Sequence, residues 1–121
     1  MSYSKTFLVG RCGRDPELRY TTAGVAVADV SIAEDRGFGE KKQTVWWRVS
    51  FWRDAAESVK QHVHKGDALI LEGMADASAW VGDDGEARAS LELTAYRWQF
   101  APGNANAGGR EGEQEPKDLP F

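Results

Sequence analysis

The sequence predicts an all-β domain, a five-stranded, partly open barrel with one α-helix between the third and fourth strands. Turn residues separate five main stretches with strand character: residues 3–11, 25–33, 44–52, 68–74 with the extension 75–81, and 86–100. Between the third and fourth, residues 54–63 instead show apolar positions at helical spacing. This order of elements is the pattern of an OB-fold.

The first strand, residues 3–11, has its apolar centre just before Gly10. Gly10 and Gly13 bracket two residues at its end, which indicates a bulge or a close approach of another backbone. A turn follows, and residues 17–20 are expected to form a short strand that continues the first.

The second strand, residues 25–33, has an interrupted alternation. Val25 and Val27 share one face, Asp29 breaks the pattern, and Val30 resumes it out of phase. A one-residue shift of this kind predicts a β-bulge at that point.

The helix is expected to begin at Asp54 as its N-cap and to end before Gly66 as its C′ residue. Its apolar stripe consists of Ala55, Ala56, Val59 and Val63. Further along, residues 82–85 (Gly-Asp-Asp-Gly) predict a hairpin turn between two long strands.

The third strand, residues 44–52, carries three tryptophans and two contrasting faces. One face is apolar and is expected to enter the core; it holds Val45, Trp47, Val49 and Phe51. On the other face, Trp46 and Trp52 flank Arg48, and flat rings beside a cation suit unpaired nucleic acid. The alternative is a strand buried on both faces, with Arg48 at the rim of the core.

Composition and charge limit the classes of function. The net charge is −4, shared between the domain and the tail, so phosphate charge alone is not expected to dominate a nucleic-acid contact. One cysteine, Cys12, excludes an intramolecular disulfide and fits a cytoplasmic location. We see no membrane span, signal peptide, catalytic set, metal cluster or cofactor motif, and therefore expect neither an enzyme nor a cofactor.

The last 21 residues differ from the rest of the chain. Residues 101–121 have no apolar periodicity, which predicts a disordered linker after a domain at residues 1–100. An acidic segment ending in Phe121 suits capture by an apolar pocket ringed with basic residues. The alternative is an ordinary frayed end.

Four segments together resemble bacterial single-stranded DNA-binding proteins. They are FLVGRCGRDPELRY at residues 7–20, QTVWWRV at residues 43–49, KGDALILEG at residues 65–73 and DLPF at residues 118–121. The resemblance covers residues 5–100 and the extreme C-terminus. It implies binding and protection of single-stranded DNA in replication, recombination and repair, in the cytoplasm at the nucleoid, by a homotetramer.

The resemblance also implies roles for particular residues. The base-stacking positions are Trp46, Trp52 and Trp80, with Phe38 near a fourth. Arg48 matches a phosphate contact, and the other basic candidates are Lys5, Arg11, Arg14 and Arg19, each of which could equally be a solvated surface charge. The tip that would dock replication and repair proteins is Asp118, Leu119, Pro120 and Phe121.

The chain departs from the family pattern at three places. Residues 75–79, before Trp80, contain no cation where the family is typically basic, so we expect a weaker dependence of binding on salt. Trp47 replaces a small or polar residue near a subunit interface, and we expect it to be buried in the core or between protomers. Lys117 interrupts the acidic tip.

Two rival functions stay open at this point. An OB-fold accessory protein of replication restart would share the fold but generally lacks an acidic tip, so residues 118–121 argue against it. A protein-interaction module would bury these aromatic side chains against a partner. Single-stranded DNA would then leave its tryptophan fluorescence unchanged.

Overall fold

The computed structural model of the chain describes residues 2–103. Within this range the chain forms six strands, one α-helix and a 3₁₀ turn at Gly39–Lys41. In chain order the main elements are β1 (Thr6–Cys12), β2 (Glu17–Tyr20), β3 (Ala26–Arg36), β4 (Gln43–Trp52), α1 (Asp54–His62), β5 (Ala68–Val81) and β6 (Ala87–Phe100).

The strands pair in the order β1-β5-β6-β4-β3-β2, and an additional pairing between β1 and β3 closes the sheet into a barrel. That closing contact involves only the end of β1, where Arg11 pairs with Ala33 and Cys12 with Ile32. β4 and β6 are parallel, and the other pairs are antiparallel. The predicted OB-fold is confirmed: α1 lies between the third and fourth main strands, and β2 extends the edge of β3.

The barrel interior contains the inward residues of every main strand. Its largest fully buried side chains include Phe51, Ile32, Leu71 and Leu93. α1 packs mainly against β3 and β4 and buries Ala56 and Val59 completely. Removing these surfaces from water is the main stabilising contribution to such a fold.

The bulge predicted at Asp29 is wrong. β3 and β4 pair without a shift from Val27↔Trp52 to Arg36↔Gln43, and the alternation continues through Ala28 and Val30 on the core face. Val27 is fully buried although it lies on the other face. Because Val27 is apolar, the sequence pattern suggested that it lies on the core face, and the core residues after it then seemed out of phase.

The structure places a register shift elsewhere, in the β5–β6 pair. Glu72 pairs with Arg97 but the next residue, Gly73, pairs with Ala95, which leaves Tyr96 as the extra residue. Close backbone packing explains the glycine, because a Cβ on Gly73 would lie 2.0 Å from the Thr94 carbonyl oxygen.

Both predicted helix caps are displaced. Asp54 is the first helical residue, while Arg53 is the N-cap, with φ of 59° and no capping hydrogen bond from its side chain. The C-cap is Val63, and Gly66 belongs to the following turn, where it has φ of 91°. The Gly66 N–H donates to the Cys12 carbonyl, so this turn is tied to β1.

The β5–β6 hairpin projects from the barrel. From Met74 to Val81 every residue of β5 is exposed, while its pairing with β6 continues to Val81↔Ala87. The predicted turn is present: the Gly82 N–H donates to the Glu86 carbonyl, and Gly85 has φ of 83°.

The predicted tail lies outside the described residues from position 104 onward, including the tip residues Asp118 to Phe121. β6 ends at Phe100, and the next residue, Ala101, is still buried and donates its N–H to the Ala68 carbonyl. The domain boundary at residue 100 stays a prediction. No helix in the range 2–103 has the length and apolar character needed to cross a bilayer.

Candidate nucleic-acid interface

The outer face of β4 presents the two tryptophans and the arginine singled out in the sequence. Trp46 is 55% exposed and Trp52 is 43% exposed, with the exposed Arg48 between them. On the opposite face, Val49 and Phe51 are fully buried. The alternative of a strand buried on both faces is therefore wrong, since one face is core and the other is solvent-exposed.

Trp46 is supported from below by a glycine. The benzene half of its indole lies against Gly13, where an added Cβ would come within 2.6 Å of Trp46 Cζ3 and 2.9 Å of Cη2. The Gly13 N–H donates to the Ser31 carbonyl at 2.8 Å, which anchors this turn to β3. Gly13 thus explains how a large exposed ring can lie close to the barrel surface.

The outer face continues from β4 across β6 to β5. In the strand register, Arg48 is the neighbour of Glu92 across the parallel β4–β6 ladder. Glu92 is in turn opposite Asp76 in the antiparallel β5–β6 ladder. Residues directly opposite each other share a face of the sheet. Further along the hairpin, Trp80 and its partner Arg88 lie on this same face. The structure therefore brings Trp46, Trp52, Arg48 and Trp80 onto one continuous surface.

Arg88 was missed by the sequence reasoning. It lies directly across the hairpin from Trp80, which is 49% exposed. An ion pair of 2.7 Å joins Arg88 Nη2 to Asp84 Oδ2 in the turn. The hairpin register could have revealed this neighbour, but it depends on the length of the turn.

Phe38 lies in the β3–β4 connection, whereas the three tryptophans lie on strands. It is almost fully exposed and immediately precedes the 3₁₀ turn in the β3–β4 connection. Within the described part of the chain, no ring contact joins Phe38 to a tryptophan. Its connection leads directly into the start of β4, the end of the strand that carries Trp46.

The remaining predicted cations are partnered and dispersed. Lys5 pairs with Glu72 at 2.7 Å, Arg14 with Glu17 at 3.3 Å and Arg19 with Asp29 at 2.7 Å, while Arg11 donates to the Gly66 carbonyl at 3.2 Å. The Lys5–Glu72 hydrogen bond raises the pKa of Lys5 and lowers the pKa of Glu72. By contrast, Arg48 has no carboxylate within ion-pair distance among residues 2–103.

Among these cations, Arg19 lines a pocket together with Arg48. The two arginines line a surface pocket of about 180 Å³, together with Asp29, Ser50 and Glu92. Asp29 fixes part of this pocket, because it accepts hydrogen bonds from Arg19 Nε and from Ser50 Oγ. The electrostatic character is therefore mixed, with two cations and two carboxylates.

Known proteins resemble this chain over most of its length. A sequence profile described as the Single-strand binding protein family matches residues 3–101. The chain belongs to this family. The single-stranded DNA-binding protein of Neisseria meningitidis serogroup A is 35% identical over 120 aligned residues, covering 94% of this chain and 69% of that protein. The protein of that name from Xylella fastidiosa is 30% identical over 111 residues, covering 88% and 68%.

Trp47 belongs to the core of the barrel. It is 8% exposed, and its indole N–H donates to Glu34 Oε1 at 2.8 Å. Arg36 also donates to this oxygen, and the hydrogen bond from Arg36, followed by the one from Trp47, holds the pKa of Glu34 below its usual value.

A second exposed apolar group lies on the β1–β5–β6 side of the barrel. Tyr3, Phe7 and Tyr96 are exposed there, around the Lys5–Glu72 ion pair. A hydrogen bond with Tyr3 raises the pKa of Tyr96. Phe7 pairs across β1 and β5 with Glu72, which places the group on the outer side of the β1–β5 pair.

The remaining polar side chains were considered as metal ligands within residues 2–103. Over the described range, no set of three or more His, Cys, Asp or Glu residues is arranged to hold a metal ion. Cys12 is buried below the turn that contains Gly66. Burial, with smaller contributions from Asp67 and Asp15, raises the pKa of its thiol to about 12.

Proposed function

We propose that this chain binds and protects single-stranded DNA, without sequence preference, in replication, recombination and repair. It acts as a binding protein in the cytoplasm, not as an enzyme, and needs no cofactor. The observation that carries the proposal is the placement of Trp46, Trp52 and Trp80 on one outer face, each about half exposed, with Arg48 between the first two.

Stacking supplies the affinity and the preference for single strands. Unpaired bases expose π-faces, and each base stacked on an aromatic side chain contributes about 1–3 kcal/mol. Every base has such a face, so the contact tolerates any sequence. Duplex DNA is disfavoured because its bases are already paired and stacked.

The phosphates are bound by arginines on the same surface. Arg48 is free of a carboxylate partner within residues 2–103, and Arg19 lines the same pocket. Lys5, Arg11 and Arg14, on or beside β1, are further candidate contacts, and each would exchange its present partner in the protein for a phosphate. Phe38 adds a fourth stacking position where the β3–β4 connection meets the start of β4.

A fluorescence titration tests the function. Adding an oligothymidine is expected to quench tryptophan emission, while the same length of duplex leaves it nearly unchanged. Trp52→Ala is expected to lower single-strand affinity by about 1–3 kcal/mol. If single-stranded DNA leaves the emission of the wild-type protein unchanged, the protein-interaction alternative is correct instead.

We further propose a homotetramer over which the DNA wraps. The exposed Tyr3, Phe7 and Tyr96 supply an apolar surface on the β1–β5–β6 side of the barrel, at which protomers can meet. Light scattering should report a mass of four chains, and Phe7→Ser is expected to reduce it. A monomeric mass for the wild-type protein would exclude this assembly.

The C-terminal tip is proposed to dock replication and repair proteins. Leu119 and Phe121, with the acidic Asp118 and the chain carboxylate, suit an apolar pocket with basic residues around it. Deleting residues 118–121 is expected to abolish capture of such partners while leaving DNA affinity intact. Retained capture by the truncated chain would place docking on the barrel.

A further inference from the structure

The hairpin carries its tryptophan beside a single cation. From residue 74 to residue 96 the sequence contains one basic residue, Arg88. The β5–β6 register places Arg88 directly opposite Trp80, so both side chains leave the ribbon on the same face. Residues 75–79 of β5 contain no cation, but β6 places one, Arg88, next to Trp80.

The turn fixes the direction of this guanidinium. Asp84 Oδ2 accepts from Arg88 Nη2 at 2.7 Å, while Asp84 Oδ1 accepts the Glu86 backbone N–H at 3.0 Å. The guanidinium also lies over Gly82, where an added Cβ would come within 2.6 Å of Arg88 Nε. One carboxylate and one glycine thus hold Arg88 along the end of the hairpin.

The Asp84–Arg88 pair can exchange partners easily. Both side chains are about half exposed, and an exposed ion pair contributes little to stability. A phosphate offers the guanidinium the same planar, two-pronged hydrogen bonding as a carboxylate. A base stacked on Trp80 would bring its own phosphate close to the opposite strand of the ribbon.

We propose that Arg88 binds the phosphate of the nucleotide stacked on Trp80, and that Asp84 holds the guanidinium in place until DNA displaces the carboxylate. This inference rests on the proposed function, since it assigns a further contact within that site. It makes Arg88 a DNA-binding residue and Asp84 a positioning residue that also competes with the DNA.

The first test is the salt dependence of oligothymidine binding by the full chain. Each phosphate contact on a single strand contributes about 0.7 to the slope of log K against log salt. Arg88→Gln is expected to reduce the slope by about that amount. Lys60→Gln, the same charge change on α1, should leave it unchanged; Lys60 donates to the Pro16 carbonyl and lies on the helix, outside the strands that carry the tryptophans. Equal slopes for Arg88→Gln and wild type would overturn the proposal.

The second test isolates Asp84. Asp84→Asn keeps an oxygen for the Glu86 N–H but removes the competing charge, so affinity at low salt should rise about threefold, or roughly 0.7 kcal/mol. Glu86→Gln removes the same charge from the same turn and has no pairing with Arg88, so it should give a smaller gain. In the Arg88→Gln background, the gain from Asp84→Asn should disappear.

The outcomes separate this inference from the proposed function. If wild type is quenched by oligothymidine but the gain from Asp84→Asn persists without Arg88, the effect is general charge and the inference is wrong. If wild type does not bind oligothymidine, the proposed function and the inference both fail. Circular dichroism of each variant should match wild type, because these side chains lie outside the core.

Discussion

The benzene half of the Trp46 indole lies on the backbone of Gly13, with no room for a Cβ between them. An exposed ring normally samples several rotamers, and fixing one on DNA binding costs conformational entropy. Contact with a rigid turn that is hydrogen-bonded to β3 reduces the number of orientations open to Trp46. Gly13 therefore prepares the stacking surface before the DNA arrives.

Gly13→Ala is expected to weaken single-strand binding. The new methyl would overlap Trp46 Cζ3 at 2.6 Å, so the ring must turn away from the position it now occupies. We expect a loss of about 1 kcal/mol, or roughly fivefold in Kd, the lower end of one stacking contact. Titration of tryptophan fluorescence with oligothymidine measures it.

Gly24→Ala is the matched control for this substitution. Its Cβ would meet no atom within 4 Å, but its φ of 85° disfavours alanine. It should therefore cost stability in a denaturant titration and leave DNA affinity unchanged. If Gly13→Ala binds DNA as tightly as wild type, the support of Trp46 by Gly13 has no role in stacking.

The surface of β4 could be predicted because a strand has a strict period of two. If Val49 and Phe51 point into the core, the alternation of the strand puts Trp46, Arg48 and Trp52 on its outer face. The structure confirms this division of the two faces. The helix between the third and fourth main strands was equally visible, because its apolar spacing changes from two residues to three or four.

Contacts between distant segments could not be predicted in the same way. The sequence indicates a close backbone approach at Gly13, but nothing in it identifies Trp46 as the neighbour. The Trp80↔Arg88 pairing requires three residues, 83–85, between Gly82 and Glu86; a two-residue loop would pair Trp80 with Ala87. The N-cap prediction failed by one residue because the Arg53 N–H donates to the Ala26 carbonyl of β3, so the helix begins after it. The Asp29 bulge failed because Val27 is buried although it lies on the outer face of β3.

Trp47→Phe is expected to lower stability and to leave DNA binding intact. The ring of Trp47 fills the core, and its N–H satisfies the half-buried Glu34 carboxylate. Losing both contributions should cost about 1–3 kcal/mol of the free energy of unfolding. Denaturant unfolding followed by circular dichroism measures the cost.

The neighbouring residue provides the control. Trp46→Phe alters an exposed ring, so it should change the affinity for oligothymidine with little effect on unfolding. A loss of DNA affinity in Trp47→Phe at unchanged stability would place Trp47, and not only Trp46, in the binding surface.

The salt dependence of binding should be shallower than that of a relative with basic residues before its hairpin tryptophan. Glu92 stands beside Arg48 in the β4–β6 ladder, and Asp76 is its partner on β5, so carboxylates oppose the phosphates on this face. Glu92→Gln should strengthen oligothymidine binding by about 0.5 kcal/mol at low salt. Glu57→Gln, the same charge change on the exposed face of α1, should not. If the slope of log K against log salt for the wild type is as steep as that of the basic relative, Glu92 and Asp76 do not oppose the phosphates.

Cys12 is expected to resist alkylation in the folded protein. Its thiol is buried, and burial is the main reason that its pKa rises to about 12. Because the thiolate is the reactive form, iodoacetamide at about pH 8 should label the native chain far more slowly than the chain in concentrated guanidinium chloride. Mass spectrometry of timed samples gives both rates, and equal rates would refute the burial of the thiol.

The same pKa makes the stability depend on alkaline pH. The unfolded chain loses the Cys12 proton near its ordinary pKa of 9.0, while the folded chain keeps it to about 12. The folded state therefore binds more protons in this interval, and the free energy of unfolding falls as pH rises through it. Below about pH 9 the contribution is constant. In denaturant titrations between pH 9 and about 12, Cys12→Ala should reduce the fall in the free energy of unfolding. If the fall is unchanged, other titrating groups cause it.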